Sequence, residues 1–290
     1  MDNNNHISLD ALVPPEMATK AEQIGFKKAH MDPISVIVLA IVAGVFISFG
    51  AIFSTTITAG ASGMLPYGVT RLLAGFTFSL GLILVIVGGA ELFTGNNLIV
   101  MAWASRKVSA WQVVQNWICV YTGNFIGAIS AVVAMFLGGQ FLFANGAIGA
   151  AALATADAKC NLNFAQALVL GILCNNLVCL AVWLTFSART ATDRVMTIIP
   201  PVTAFVAAGF EHSIANMYFI PIGLLIKLGA PASFWTSIGK TAADFPNITL
   251  EKFLVNNLIP VTIGNIIGGS VLVGLVYWFV YLRRPKENED

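Results

Sequence analysis

The sequence predicts an all-α integral membrane protein with six transmembrane spans, arranged as two inverted halves of three spans each. Three observations support this fold class: the composition, the lengths of the apolar runs, and a motif that occurs twice. Of the 290 residues, 57% are hydrophobic and 10% are charged, and the mean hydropathy is +0.82. Soluble domains typically carry about 25% charged residues, so this composition indicates that nearly all of the chain lies in or near a membrane.

Six apolar runs are each long enough to cross a hydrocarbon core of about 30 Å. They predict spans near residues 34–58, 68–104, 112–139, 162–187, 194–226 and 253–282. The second and fifth runs are too long for one straight helix, so we expect each to be a pair of half-helices. Pro200, Pro201 and Pro221 add bends to the fifth run.

The same motif, small-Gly-x-Glu-x4-Asn, lies inside both long runs. It reads Gly88-Gly89-Ala90-Glu91 and ends at Asn96 in the second span, and it reads Ala208-Gly209-Phe210-Glu211 and ends at Asn216 in the fifth. A carboxylate at membrane depth usually faces a polar interior and marks a pathway. Broken helices are tolerated in a membrane only where protein or a cavity lines them. The two motifs therefore predict a transport site between two similar halves.

Two further motifs recur in the same order. Gly123-Asn124 of the third span recurs as Gly264-Asn265 of the sixth, and Leu39-Ala40-Ile41 loosely resembles Leu170-Gly171-Ile172. Spans one to three thus match spans four to six, and an odd number of spans per copy makes the copies inverted. The chain accordingly divides into an N-terminal cytoplasmic amphipathic helix (1–33), a first transmembrane repeat (34–140), an outer connecting loop (141–160), a second transmembrane repeat (161–283) and a cytoplasmic C-terminal tail (284–290).

Residues 10–30 predict one helix before the first span, with Pro14 and Pro15 in its first turn. Its apolar residues recur at helical spacing, which is typical of a helix lying along a membrane surface; a solvated leader is the alternative. Both termini lie on one side because the span count is even. That side carries ten of the Lys and Arg residues against five on the other, which predicts cytoplasmic termini in a multi-pass protein.

His212 is the only histidine in a predicted span, and it lies in the second break. A histidine there can donate to an anion and lend it a proton, because its unperturbed pKa of about 6.5 lies near physiological pH; a structural hydrogen bond is the alternative. Thr94 offers a hydroxyl at similar depth in the first break. Lys159, in the predicted outer loop, could concentrate anions at a pore mouth, although a solvated lysine is the default.

Glu91 and Glu211 are either proton carriers or acceptors for backbone N–H groups that the breaks leave free. Their occurrence in both repeats favours the structural role. The asparagines of the repeated motifs are also expected to satisfy interrupted backbone; these are Asn96, Asn216, Asn124 and Asn265.

The sequence offers no case for catalysis. It contains no nucleophile–base arrangement, no HExxH motif and no phosphate-binding glycine loop, and its four cysteines form no CxxC pair. We therefore expect neither an enzyme, nor a metal site, nor a cofactor. The net charge of +1 gives no reason to expect nucleic-acid binding.

Two long stretches, 209–217 and 257–269, resemble the formate/nitrite transporter family, and most closely its formate channels. The resemblance implies an aquaporin-like fold in a homopentamer with one pore per protomer, although the Asn-Pro-Ala boxes of aquaporins are missing. It implies that His212 lies at the centre of the pore with Thr94 opposite and Asn175 close by. Lys159 would lie in the outer vestibule, and the N-terminal helix would gate the cytoplasmic mouth with pH. Apolar constrictions on either side of His212 would be formed by Phe78, Leu82, Leu92, Phe205 and Val178.

This resemblance implies a channel or transporter for formate and similar small monovalent anions in the lipid bilayer of a bacterial inner membrane. His212 would stabilise or protonate the anion between the two constrictions. The alternative within the same family is a channel for nitrite or hydrosulfide. Glu91 stands where many formate channels have aspartate, which keeps the carboxylate.

Overall fold

The computed structural model describes residues 11–283. The expectations for residues 1–10 and for the C-terminal tail, 284–290, lie outside the described residues. Every regular element within 11–283 is a helix. The helices are α1 (Pro14–Ala29), α2 (Pro33–Thr58), α3 (Tyr67–Gly88), α4 (Phe93–Asn96), α5 (Val100–Ala104), α6 (Ala110–Leu137), α7 (Ala147–Cys160), α8 (Phe164–Ser187), α9 (Ala191–Ala207), α10 (Ser213–Gly229), α11 (Ala232–Ile238) and α12 (Lys252–Tyr281).

The predicted all-α membrane fold is confirmed. Five of the described helices, α2, α3, α6, α8 and α12, are individually long and apolar enough to cross a membrane. α9 and α10, of 17 residues each, follow one another across the second break. α12 contains two stretches of π-helix, Lys252–Leu258 and Ile267–Leu275, which a pattern of apolar residues does not reveal.

The two halves repeat the same order of helices from α1 onward. Lys28 and Lys159 lie in the last turns of α1 and α7, and Asp32 and Asn163 cap the N-termini of α2 and α8 at the same spacing. Each transmembrane repeat therefore begins with a helix that precedes the residues, 34 and 161, at which we expected the repeats to start.

The connection over 141–160 differs from the expected outer loop because most of it is α7. Its sequence is rich in alanine, which favours helix, but it is too short to have been recognised as a span. Ile148, Leu153 and Ala156 are buried in the protein, so the segment is part of the core.

Glycines let the helices within each repeat touch backbone to backbone. A Cβ atom added at Gly127 of α6 would overlap the carbonyl oxygen of Ile41 in α2, and one added at Gly268 of α12 would overlap that of Ile172 in α8. Small residues of this kind permit the close helix approach that stabilises membrane bundles. The result is a rigid frame on which the two breaks are held.

Candidate functional site

Each broken span is interrupted by a glycine in the left-handed conformation. Gly89, after α3, has φ of 81°, and Gly209, just beyond α9, has φ of 77°. Glycine adopts this conformation without the steric penalty of other residues, so each helix stops there. The chain then runs extended to Leu92 in the first break and to His212 in the second, and these two residues precede α4 and α10 at equivalent positions.

Asn124 of α6 binds the backbone that the first break leaves free. Its Nδ2 group donates to the carbonyl oxygens of Ala40 and Glu91 at 2.8 and 2.9 Å, and its Oδ1 atom accepts from the N–H of Phe93 at 2.9 Å. The side chain thereby joins α2, the break and α4, and it satisfies groups that no helix partner reaches.

Asn265 of α12 makes the same contacts at the second break. Its Nδ2 group donates to the carbonyl oxygens of Gly171 and Glu211 at 2.8 and 3.0 Å, and its Oδ1 atom accepts from the N–H of Ser213 at 2.9 Å. The two repeats are thus related contact by contact and not only by sequence motif.

A partly buried ion pair lies beside the first break. Lys28 Nζ lies 2.7 Å from Glu91 Oε1 and 2.9 Å from Asn96 Oδ1. Asn96 Nδ2 donates to Glu91 Oε2 at 2.7 Å and to Asn116 Oδ1 at 2.9 Å. We call Lys28, Glu91, Asn96 and Asn116 the first break cluster. Because the glutamate is 5% exposed, these donors take the place of water around its carboxylate.

The second break carries the matching cluster. Lys159 Nζ lies 2.8 Å from Glu211 Oε1, and Asn216 Nδ2 donates to Glu211 Oε2 and to Asn257 Oδ1, both at 2.7 Å. We call Lys159, Glu211, Asn216 and Asn257 the second break cluster. α1 thus serves the first break as α7 serves the second.

The structure differs from three expectations about these residues. Asn96 and Asn216 were expected to bind interrupted backbone, but their side chains bond to other side chains of the break clusters. Glu91 and Glu211 accept from lysine and asparagine side chains, whereas the backbone N–H groups that follow the breaks are bound by Asn124 and Asn265. Lys159 belongs to α7 and not to a loop, and its side chain is only 16% exposed because it is paired.

His212 and Thr94 bring the two breaks together. The Nε2 atom of His212 lies 3.0 Å from the Oγ1 atom of Thr94, and both residues are buried. The Nδ1 atom of His212 accepts from the N–H of Ala215 at 3.0 Å and so caps α10. A neutral ring that accepts at Nδ1 carries its proton on Nε2, so this geometry makes Nε2–H the donor that faces the site.

Asn175 lies beside Thr94 but does not bond to His212. Its Nδ2 group donates to Asn97 Oδ1 at 2.7 Å, to the carbonyl oxygen of Asn265 at 2.6 Å and to that of Thr94 at 3.3 Å. It therefore fixes the backbone of Thr94 against α12. Its Oδ1 atom is buried and has no hydrogen-bond partner among the described residues.

Two cavities approach His212 and Thr94 from opposite sides. The first vestibule, of about 330 Å³, is lined by α1 and includes Lys28 and Glu91. The second vestibule, of about 460 Å³, includes Lys159, Glu211 and His212. Each vestibule therefore ends at one break and one break cluster.

Apolar side chains line both vestibules, and His212 itself lines the second. Leu82 and Leu92 line the first vestibule, and Phe78 and Phe205 line the second. The ring of Phe205 stacks on that of His212 with centroids 6.1 Å apart, and Phe78 meets Phe205 edge to face at 5.9 Å. Val178 is buried but lines neither cavity.

The sequence reasoning missed several residues of this region. Asn116 and Asn257 precede Asn124 and Asn265 by the same spacing, which is the signal that could have revealed them. Lys28 had the same kind of signal, because it precedes Leu39 as Lys159 precedes Leu170. Three more cations had no such signal, because nothing in their local sequence points to a cavity; they are Lys20, Arg71 and Arg194.

Comparison with known proteins agrees with this arrangement. The family model described as formate/nitrite transporter matches residues 15–279. Formate channel FocA of Escherichia coli (strain K12) is 49% identical over 279 residues, covering 96% of this chain and 98% of that protein. Formate channel FocA of Haemophilus influenzae is 40% identical over 272 residues, covering 94% and 95%. A solved structure described as a pentameric formate channel with formate bound has a TM-score of 0.82 at 50% identity, covering 89% of this chain and 99% of that one.

Proposed function

Since the chain belongs to the formate/nitrite transporter family, we propose that it carries formate and similar small monovalent anions across the membrane, with His212 as the central binding group. The observation that carries the proposal is the position of the His212 Nε2 atom. It lies 3.0 Å from Thr94 Oγ1, His212 lines the second vestibule, and apolar side chains line both vestibules. A small anion that reaches this point finds a donor in otherwise apolar surroundings.

The need for such a donor follows from solvation. Moving a bare carboxylate from water into a medium of low dielectric costs on the order of tens of kcal/mol. Leu82, Leu92, Phe78 and Phe205 present that kind of medium. The anion must therefore be hydrogen-bonded, hydrated or neutralised on its way, and the Nε2–H group and the Thr94 hydroxyl supply hydrogen bonds at the midpoint.

The cap on α10 constrains the role of His212 in proton transfer. A neutral imidazole with its only proton on Nε2 donates a hydrogen bond but is a very poor acid. Giving a proton to formate requires a second proton on Nδ1, and that proton displaces the N–H of Ala215. We infer that low pH favours transport because formate is then more readily protonated.

The relatives also guide the assembly and orientation that we propose. A related structure at 50% identity is described as pentameric, and we propose a homopentamer with one pore in each protomer. The bias of Lys and Arg favours cytoplasmic termini in a bacterial inner membrane. In that orientation the first vestibule, with α1 across it, faces the cytoplasm and the second faces outward.

Uptake into proteoliposomes tests this function. Labelled formate, nitrite and hydrosulfide would each be followed at pH 5.5 and 7.5, with the wild-type protein and His212→Phe. We expect formate flux to exceed the others, to rise at the lower pH and to depend on His212. Dominant nitrite or hydrosulfide flux would assign the chain to that alternative. Equal flux of all three, unchanged in His212→Phe, would reduce the histidine to a structural part.

A further inference from the structure

The first vestibule contains more positive charge than its carboxylates balance. Three cationic side chains line it, Lys20, Lys28 and Arg194. Among its described lining residues Glu91 is the one carboxylate, and it is paired with Lys28 at 2.7 Å. Lys20 of α1 and Arg194 of α9 therefore add charge that no acidic lining residue neutralises.

Arg194 is the more available of these two cations. Within residues 11–283 its guanidinium group makes no hydrogen bond and no ion pair. The nearest carboxylate in sequence, Asp193, accepts from the N–H groups of Arg189 and Thr190 at the start of α9. Those bonds lower the pKa of Asp193, so it stays charged but is directed to the backbone.

Lys20 lines both the first vestibule and a neighbouring surface cavity that is distinct from the second vestibule. Its Nζ atom donates to the carbonyl oxygen of Phe186 at 2.8 Å, at the end of α8. On its other side Lys20 and Arg189 line an adjoining surface cavity of about 480 Å³. Partial burial, then Arg194, then Arg189 lower the pKa of Lys20, because the two arginines place further positive charge near it. Glu16 of α1 is the carboxylate that lines this adjoining cavity, and it accepts from the N–H of Val13.

Among its described lining residues, the second vestibule has no such free cation. Lys159 is paired with Glu211 there, and the guanidinium group of Arg71 donates to the carbonyl oxygens of Val206 and Ala207 at the end of α9. These contacts stabilise the helix end before the second break. Both vestibules thus contain a lysine–glutamate pair. They differ in that the first also has cations whose charge no carboxylate of the same vestibule neutralises.

We propose that Lys20 and Arg194 form an anion-binding site in the first vestibule, separate from the site at His212, which takes small oxyanions from the α1 side of the membrane. Arginine matches the two oxygens of a carboxylate or phosphate, and lysine adds a point charge. Leu82 and Leu92 also line this vestibule. In the proposed path they come between the site and His212, so an anion held by Lys20 and Arg194 has not yet entered the apolar region. That the physiological occupant is formate rests on the proposed function.

Currents across planar bilayers test the site, with the sidedness of the protein assigned by proteolysis of an N-terminal tag. The variants are Arg194→Gln and Lys20→Gln. The control is Lys27→Gln, on the same helix as Lys20, because Lys27 is exposed and lines neither vestibule. Formate would be varied on one side at a time. We expect Arg194→Gln to raise the half-saturating formate concentration on the α1 side about fivefold at low salt, with little change on the other side.

Inorganic phosphate provides a second arm that separates a bound oxyanion from formate itself. We expect phosphate on the α1 side to block formate current in wild type and in Lys27→Gln, and to block it several-fold less in Arg194→Gln. Phosphate on the other side should have little effect. If phosphate blocks the current, the site binds phosphate as well as formate. If phosphate does not block it but Arg194→Gln still shows the fivefold shift for formate, the site binds only the smaller carboxylate.

The proposal is overturned if Arg194→Gln behaves like Lys27→Gln in both arms, or if its effect is equal from both sides of the bilayer. Lys20→Gln also loses the hydrogen bond to the carbonyl oxygen of Phe186, so its effect could be structural. Arg194→Gln breaks no described contact and is therefore the variant that tests the proposed site. Absence of formate current in wild type is a different result, because it contradicts the proposed function. In that case binding of phosphate to wild type and Arg194→Gln, measured in detergent, still tests the site.

Discussion

The Nε2 atom of His212 lies 3.0 Å from the Oγ1 atom of Thr94, and this polar pair has no counterpart in the symmetry of the protein. The position equivalent to His212 in the first break is Leu92, and the position equivalent to Thr94 in the second is Ile214. The backbone supports around the breaks are matched almost bond for bond. The symmetric parts therefore build the scaffold, and the asymmetric pair is where we place recognition of the anion.

His212→Asn should separate the two roles of the histidine. Asparagine is a good N-cap, so we expect it to hold the start of α10 while the Nε2–H donor is lost. Formate flux should fall by about tenfold or more, because a hydrogen bond to a charged ligand contributes about 1.5–3 kcal/mol. Labelled uptake from pH 5 to 8 measures this. If His212→Asn carried formate as fast as the wild-type protein from pH 5 to 8, the Nε2–H group would not have the proposed role.

His212→Phe is the companion variant because it loses the cap as well as the donor. We expect it to match the flux defect of His212→Asn and, in addition, to lower the stability of the folded protein by about 1 kcal/mol. Thermal unfolding of the two variants in detergent gives the comparison. Equal stability of His212→Asn and His212→Phe would contradict a capping role for Nδ1.

Thr94→Val tests the hydroxyl with almost no change of shape. The variant leaves the Nε2–H group of His212 buried without its acceptor, which costs about 1–3 kcal/mol, and it removes one donor from the path of the anion. We expect a several-fold fall in formate flux, and Thr94→Ser should retain most of it. Equal formate flux in Thr94→Val and Thr94→Ser would mean that the Thr94 hydroxyl does not take part in transport.

The ion pair of the first break cluster predicts strong coupling between Lys28 and Glu91. Glu91→Gln alone leaves the lysine without its counter-charge in a mostly buried place, and we expect a loss of about 3 kcal/mol in stability. The double variant Lys28→Met/Glu91→Gln should be more stable than the sum of the single changes predicts. A thermal-unfolding cycle of the four proteins measures the coupling, and strict additivity would show that the pair is not energetically joined.

Gly127→Ala and Gly268→Ala should both prevent correct packing, because the added methyl group overlaps a carbonyl oxygen of the facing helix. Overpacking of a close contact typically costs about 1–3 kcal/mol, and a backbone neighbour cannot yield as a side chain can. The control is Gly68→Ala in the first turn of α3, where nothing lies within 4 Å. Yield and monodispersity in detergent report the outcome. Normal yields for Gly127→Ala and Gly268→Ala would show that the helices can move apart.

Much of the fold follows from local sequence. Apolar runs predicted α2, α6, α8 and α12 to within a few residues, because a membrane requires a continuous apolar helix to cross it. Glycine beside glutamate predicted both breaks, since each residue is costly in an unbroken span. α7 escaped prediction because its burial depends on tertiary contacts and not on a length that spans the bilayer.

The site was less predictable than the fold. Which atom pairs with Glu91 is decided by the docking of α1, and no local pattern places Lys28 within 2.7 Å of it. The backbone-binding role of Asn124 and Asn265 could be predicted from their repetition. The role expected for the two glutamates was wrong, because lysines from helices distant in sequence bind their carboxylates.

The glycine contacts between α2 and α6, and between α8 and α12, limit how the molecule can work. A transporter of the rocking type exposes its substrate alternately by swinging one bundle against another. Here the backbones of neighbouring helices inside each repeat touch without intervening side chains. Sliding or tilting one of these helices would leave an unfilled gap between the two backbones, which is costly. We therefore expect movements during transport to involve α1 and the side chains at the breaks more than the packed helices inside each repeat. Each repeat is thus expected to keep its internal helix packing during transport, whatever movement takes place around it.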